Sequence, residues 1–201
     1  MAKVKNTKNE LKAQRDELKR YQRYLPTLQL KKQQLQSEVR QVEHKLEGNL
    51  QRERTLVADL DTWVELFSDD VDLTPYLRIV RIVTELSNVA GVNIPVLRDV
   101  VWQRATPDLF ATPPWFDDGL ECLEQLVRVR LERRVLDEQK RLLSDELRTT
   151  NQRVNLFERV KIPACQDAIR KIRIFLGDVQ TLDVARGKIA KKKSLARETA
   201  Q

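Results

Sequence analysis

LKAQRDELKRYQRYLPTLQLKKQQLQSEVRQVEHKLEGNLQRERTLVADL, residues 11–60, decides the fold. From Leu11 a 3-4 spacing runs through Gln14, Leu18, Tyr21, Leu25, Leu28, Lys32, Leu35, Val39, Val42, Leu46, Asn49, Glu53, Leu56 and Leu60, and on to Trp63 and Phe67. Thirteen of these seventeen positions are apolar or tyrosine, while Lys, Gln, Arg and Glu fill most of the gaps. Such a pattern is a heptad seam, and it predicts one helix of nearly 60 residues, about 90 Å long at 1.5 Å per residue. Pro26 lacks the donor that an interior helical residue needs, so a kink or a fresh start is expected there.

Working outward, a second helix is expected after Thr112-Pro113-Pro114-Trp115, with Asp117 and Asp118 complementing the positive end of its dipole. Its seam reads Cys122, Leu126, Val129, Arg133, Leu136, Lys140, Leu143, Leu147, Thr150, Val154 and Phe157. Past Pro163 the phase slips to Cys165, Ile169, Ile172 and Leu176, as a proline that bends the helix and resets its face would produce. Gly177-Asp178 and Gly187 mark expected breaks. Between the helices, residues 76–83 and 92–102 are rich in Val, Ile and Leu, and Asn88-Val89-Ala90-Gly91 supplies a turn. A short β-hairpin is expected, with Pro95 confining its second arm to an edge or a bulge.

Two seams flanking a small insert bury their stripes against each other as an antiparallel pair. The fold class is therefore mainly α: a long antiparallel two-helix coiled coil of N- and C-terminal helices with a small hairpin-containing insert. Residues 1–70 form the first helix, 71–114 the insert, and 115–201 the second helix with a basic tail, all as one structural unit.

Composition agrees with this reading. A third of the 201 residues are charged, and there are 5 Gly and 7 Pro, so most of the chain has no reason to turn. Cys122 and Cys165 lie far apart, and His44 is the single histidine, so neither a disulfide framework nor a zinc site is expected. No run approaches the roughly 18 apolar residues of a membrane span. A soluble cytosolic protein, or one peripheral to a membrane, follows as the expectation.

The net charge of +7 is concentrated at the ends. Residues 1–23 hold eight Lys/Arg against three Asp/Glu, and residues 186–201 hold six against one, leaving about −3 between them. Antiparallel pairing brings the two basic segments together. Lys12, Arg15, Lys19, Arg20, Arg186, Lys188, Lys191, Lys192 and Lys193 are the candidate partner-binding residues. Such a cluster serves nucleic-acid phosphates, an anionic membrane, an acidic protein sleeve, or simply solvation. The C-terminal cations have no aromatic residue among them on which a base could stack.

Catalytic equipment is not expected: there is no Gly-rich phosphate loop, no Gly-x-Ser-x-Gly elbow and no paired metal-ligand spacing. His44 falls off the seam and reads as solvated. Asp117 and Asp118 read as dipole complements rather than an acid-base pair, and Trp63 and Phe67 as core. Trp102, Trp115 and Phe116 either pack the insert onto the helices or form a docking surface for a partner.

Specific stretches add a family resemblance over nearly the whole chain. They are residues 88–96, Asn-Val-Ala-Gly-Val-Asn-Ile-Pro-Val; Thr112-Pro113-Pro114-Trp115; residues 153–163, Arg-Val-Asn-Leu-Phe-Glu-Arg-Val-Lys-Ile-Pro; and residues 172–178 with Gly187-Lys188-Ile189-Ala190-Lys191. In this order and spacing the chain resembles the D subunits of V/A-type ATPases and ATP synthases. The resemblance implies a non-catalytic axle whose terminal helices enter a hexamer of alternating A and B subunits. It also implies contacts with the central-stalk F subunit and with a socket subunit above a membrane ring, so that ATP chemistry in the hexamer is coupled to proton or sodium movement. It implies no cofactor, no metal, no membrane insertion and no direct nucleic-acid contact, and a cytoplasmic place peripheral to the membrane. A coiled-coil adaptor and a nucleic-acid-binding coiled coil are the alternatives.

Overall fold

A computed structural model describes residues 5–61, 75–106, 113 and 115–198. In chain order they form helix α1 (Lys8–Asp61), strands β1 (Leu77–Val89) and β2 (Val92–Arg104), helix α2 (Phe116–Asn155), a π-helical turn (Leu156–Lys161) and helix α3 (Ile162–Glu198). The chain is mainly helical, two long helical stretches with a small antiparallel hairpin between them in sequence. Trp63, Phe67, Thr112 and Pro114 lie outside the described residues. The chain divides into two compact units, Met1–Leu30 with Thr150–Gln201, and Lys31–Thr149.

Within Lys31–Thr149, α1 and α2 run antiparallel. Lys31 meets Glu146 at 2.6 Å, Glu43 meets Lys140 at 3.0 Å and Glu53 meets Arg130 and Arg133 at 2.9 Å, so partners fall along α2 as they rise along α1. The buried core joins Leu35, Val42, Leu46 and Leu143 to Ile94 of the hairpin, with Val39, Val89, Val92, Leu136 and Leu147 packed around it. Burying a leucine completely is worth about 1.5–3 kcal/mol, and Leu35 and Leu143 reach that limit. Asn49 is a polar interruption of the seam. It is fully buried, its Nδ2 donates to Glu132 at 3.3 Å, and its Oδ1 has no partner among the described residues. A single buried amide of this kind costs stability, and it favours the register in which Glu132 lies opposite.

The hairpin is longer than its sequence suggests, because the turn needs only two residues. Ala90 and Gly91 both have positive φ, 51° and 82°, the pattern of a type I′ turn that matches the twist of paired strands. Asn88 Oδ1 accepts the Gly91 N–H at 3.2 Å, and its Nδ2 donates to Asn93 Oδ1 at 2.7 Å. The register irregularities fall at Val80 and Arg98 rather than at Pro95. Pro95 sits on an edge, as any residue of a two-stranded sheet does.

Within the unit made of both chain ends, Tyr21 and Phe157 pack with ring centroids 5.1 Å apart, and Cys165, Ala168, Ile169 and Ile172 are buried. Three local expectations change. Of the kink or fresh start expected at Pro26, the fresh start does not occur: α1 continues through it, and the neighbouring Thr27 hydroxyl donates to the Tyr24 carbonyl at 2.8 Å. The phase slip near Pro163 is absorbed by the π-helical turn, in which the Ile162 N–H bonds the Phe157 carbonyl five residues back. The wider turn inserts one residue per repeat and relieves the clash between the proline ring and the carbonyl four residues earlier. Gly177 and Gly187 do not break α3, because a helical glycine costs only about 1 kcal/mol.

Candidate functional site

The basic end is built from the first turns of α1. Thr7 caps the helix: its Oγ1 accepts the Glu10 N–H at 3.2 Å and its carbonyl accepts the Leu11 N–H at 3.0 Å, while Glu10 itself receives Gln14 Nε2 at 2.9 Å. This Thr-x-x-Glu start fixes the helical phase, so that Leu11, Gln14, Leu18 and Tyr21 turn inward and the cations between them turn outward.

Arg15 and Lys19, four residues apart, share a face. Arg170 and Arg173, three apart on α3, do the same, and the four line one open groove of about 620 Å3 together with Leu18, Gln22, Gln166, Ile169 and Ile174. None of the four has a carboxylate in salt-bridge range among the described residues. Like charges three or four apart on a helix repel by a few tenths of a kcal/mol, so the folded chain holds an uncompensated positive groove over an apolar floor. An acidic surface placed there would relieve the repulsion and cover Ile174, which is well exposed.

Of the cations expected from sequence, Arg15 and Lys19 line the groove. Lys12 and Arg20 are exposed elsewhere on α1, and Arg186, Lys188, Lys191, Lys192 and Lys193 stand exposed along α3. Arg186 reaches Asp183 at 3.6 Å, an exposed pair of small worth. Arg170 and Arg173 were missing from the sequence-based set, although their signal was present: they bracket the seam residue Ile172 as Arg15 and Lys19 bracket Leu18. Residues 177–193 are all exposed, yet Val179, Leu182 and Ile189 continue the seam spacing from Ile172 and Phe175. This stretch of α3 carries an apolar stripe with nothing among the described residues packed on it.

The cysteines are not set up as nucleophiles. Burial, and then the Glu17 carboxylate 4.0 Å away, push the Cys165 thiol up; burial, Asp59 and Glu121 do the same for Cys122. Both are therefore held as thiols rather than thiolates. His44 is exposed, and Asp117 and Asp118 stand in the first turn of α2, where Asp117 meets Arg104 at 3.4 Å. Among the described residues no three His, Cys, Asp or Glu side chains converge as metal ligands, and no helix is long and apolar enough to cross a membrane.

The insert aromatics divide. Phe116 is 1 % exposed and meets Tyr76 edge-on at 4.9 Å, so its ring belongs to the core beneath any surface here. Trp115 lies against it with centroids 6.1 Å apart and keeps part of its surface open. Trp102 is half-buried and its Nε1 has no hydrogen-bond partner among the described residues.

Residues 10–192 match the family model for the ATP synthase D subunit. The V-type ATP synthase D subunit of Borreliella burgdorferi is 44 % identical over 191 residues, 95 % of each chain. That of Chlamydia pneumoniae is 36 % identical over 198 residues, 94 % of this chain and 92 % of its own, and that of Chlamydia abortus 35 % over 193 residues, 94 % and 93 %. The match takes in both helical stretches, the hairpin and the basic groove: the chain belongs to the family of ATP synthase D subunits, components of the V-type rotary ATPases.

Proposed function

We propose that this chain is the central rotor axle of a V-type rotary ATPase or ATP synthase. Its terminal helices enter the hexamer of alternating A and B subunits, and it carries no catalytic site of its own: ATP is hydrolysed or made on the hexamer. The remainder engages the central-stalk F subunit and the socket subunit above the membrane ring, so that its rotation couples ATP chemistry to proton or sodium translocation. In this reading the protein works in the cytoplasm, peripheral to the membrane.

The observation that carries the proposal is the unit containing both chain ends. It has an apolar stripe on α3 with nothing among the described residues packed on it, a groove whose four cations lack counter-charges among the described residues, and a cation-rich tail in which Arg186 alone is paired, with Asp183, among the described residues. A helix free in water gains nothing from such a stripe; a helix turning inside a sleeve does. Arg15, Lys19, Arg170 and Arg173, together with Lys12, Arg20, Arg186, Lys188, Lys191, Lys192 and Lys193, are the residues proposed to face the hexamer. Exposed charges attract an acidic wall over several ångströms while contributing little at any one contact, which suits a surface that must pass repeatedly across its neighbours. Trp102 and Trp115 are proposed to dock a partner on the insert.

Co-expression with A, B and F subunits followed by native mass spectrometry tests the reading. One copy per hexamer is expected, with ATPase activity altered when residues 186–201 are removed. A self-associated chain that ignores the hexamer would overturn it.

A further inference from the structure

The hairpin has two sheet edges, and they are treated differently. In a two-residue hairpin the residues flanking the loop, Val89 and Val92, form a hydrogen-bonded pair, and pairs alternate from there. The observed register then makes Leu86 and Pro95 a non-hydrogen-bonded pair. Proline costs the ladder nothing at that place, and its carbonyl points out of the sheet. That carbonyl accepts Gln139 Nε2 from α2, so the β2 edge is bonded to the helix at Pro95.

By the same alternation, the N–H and C=O groups of Thr84, Leu86 and Asn88 point outward from β1. Nothing described covers them. Leu86 is 76 % exposed, and Val80 and Ile82 are exposed as well. A thirteen-residue strand with an open edge and exposed apolar side chains is what soluble proteins ordinarily avoid or cover. The charges on β1 restrict what covers it. Arg78 and Arg81 are exposed with no ion-pair partner among the described residues, and the strand's one acid, Glu85, is already bonded to Arg98. A second copy pairing through its own β1 would therefore bring two more arginines and no free carboxylate on that strand.

We infer that the outer edge of β1 accepts an extended segment of another protein in the complex, one that carries acidic residues, pairing with the backbone of Thr84, Leu86 and Asn88 as an added strand. Main-chain bonds supply the attachment, and Arg78 and Arg81 select the acidic partner. The inference rests on the chain's place in a multisubunit complex, but not on the rotation itself.

Amide hydrogen exchange resolved to single residues, on the isolated chain and on the assembled complex, tests it. In the isolated chain Thr84, Leu86 and Asn88 should exchange fast while Glu85, Ser87 and Val89, bonded in the ladder, exchange slowly. On assembly the first three should slow at least tenfold. Two variants follow the cause. Leu86→Lys protects the edge with charge, and Leu86→Pro removes one outward donor while sparing the ladder; each should lower partner retention about tenfold or more, with Glu85, Ser87 and Val89 still protected. Native mass spectrometry of the same samples separates the failures. If the chain is in the complex and the three amides exchange as before, the inference is wrong and the rotor reading stands. If the chain does not enter the complex, both fall. If the isolated chain is already a dimer with these amides protected, the occupant is a second copy and the inference is overturned.

Discussion

Lys31–Thr149 and the unit formed by Met1–Leu30 with Thr150–Gln201 use the same helical pattern to different ends. In the first, the seam closes on itself: Leu35, Val42, Leu46 and Leu143 share a core with Ile94, and ion pairs cross from α1 to α2 at Lys31, Glu43 and Glu53. In the second, buried seam residues stop at Ile172, and the π-helical turn buries nothing. Apolar spacing therefore says where a helix has a buried face, but not whether its own chain provides the cover. The charges that surround the stripe carry the second message. Cations across from carboxylates mark a finished interface, and cations with none mark one awaiting a partner.

The sharpest way to break this comparison is to truncate one leucine in each unit. Leu143→Ala removes a fully buried side chain and should cost about 2–5 kcal/mol in urea unfolding. Leu182→Ala, at a position 55 % exposed, should stay within about 0.5 kcal/mol in the isolated chain. Equal losses at both sites would mean that the α3 stripe is already packed in solution and awaits no partner.

Within the finished unit the hairpin turn gives a smaller effect of either sign. Gly91→Ala places a Cβ at φ 82° and should destabilise by about 1–2 kcal/mol. Ala90→Asn puts a residue tolerant of positive φ at 51°, and should raise the melting temperature by an amount corresponding to roughly 0.5 kcal/mol. If neither change moves the midpoint, the turn is not part of the cooperative unit.

Much of this was readable because helical periodicity is local. Every seam position from Leu11 to Leu60 is buried or half-buried, since a helix that starts at its Thr7 cap keeps its phase for as long as nothing resets it. The hairpin turn was readable at Gly91, since few residues accept positive φ, whereas Ala90 at 51° carried no such signal. Where sequence reasoning failed, the competing states were close in energy. Gly177 and Gly187 weaken a helix by an amount its flanks offset, and the eight-residue step from Phe157 to Cys165 told of one extra residue without telling what absorbs it. The groove was half readable. Arg15 and Lys19 follow from the charge count near the N-terminus, whereas pairing them with Arg170 and Arg173 depends on which faces of two distant segments meet.

The Glu53 site sharpens the contrast through pH. Its carboxylate accepts from Arg130 and Arg133, each at 2.9 Å, and the hydrogen bond from Arg130 is the main cause of a pKa below the usual carboxylate range. The unfolded chain thus binds a proton there at higher pH than the folded one. The site's contribution is complete above the unfolded value near 4.5 and is lost as pH falls through the depressed folded one. Melting temperatures of the unaltered chain and Glu53→Gln should therefore differ at pH 7 and converge toward pH 3. A constant gap would mean that the glutamine is felt through packing rather than charge.

The smallest expected effect on stability belongs to the groove, and its sign is what matters. Changing Arg15, Lys19, Arg170 and Arg173 together to Gln removes two like-charge pairs worth a few tenths of a kcal/mol each. The isolated chain should unfold at the same urea concentration or slightly higher, with the gap narrowing in salt as screening removes the repulsion. Retention on the A/B hexamer should fall in the same variant, and most at low salt, where the groove's attraction for an acidic wall is strongest. Four charges that cost the free chain stability while helping the assembly belong to an interface. If the variant is instead markedly less stable alone, these residues hold α1 and α3 together, and the groove is part of the chain's own packing.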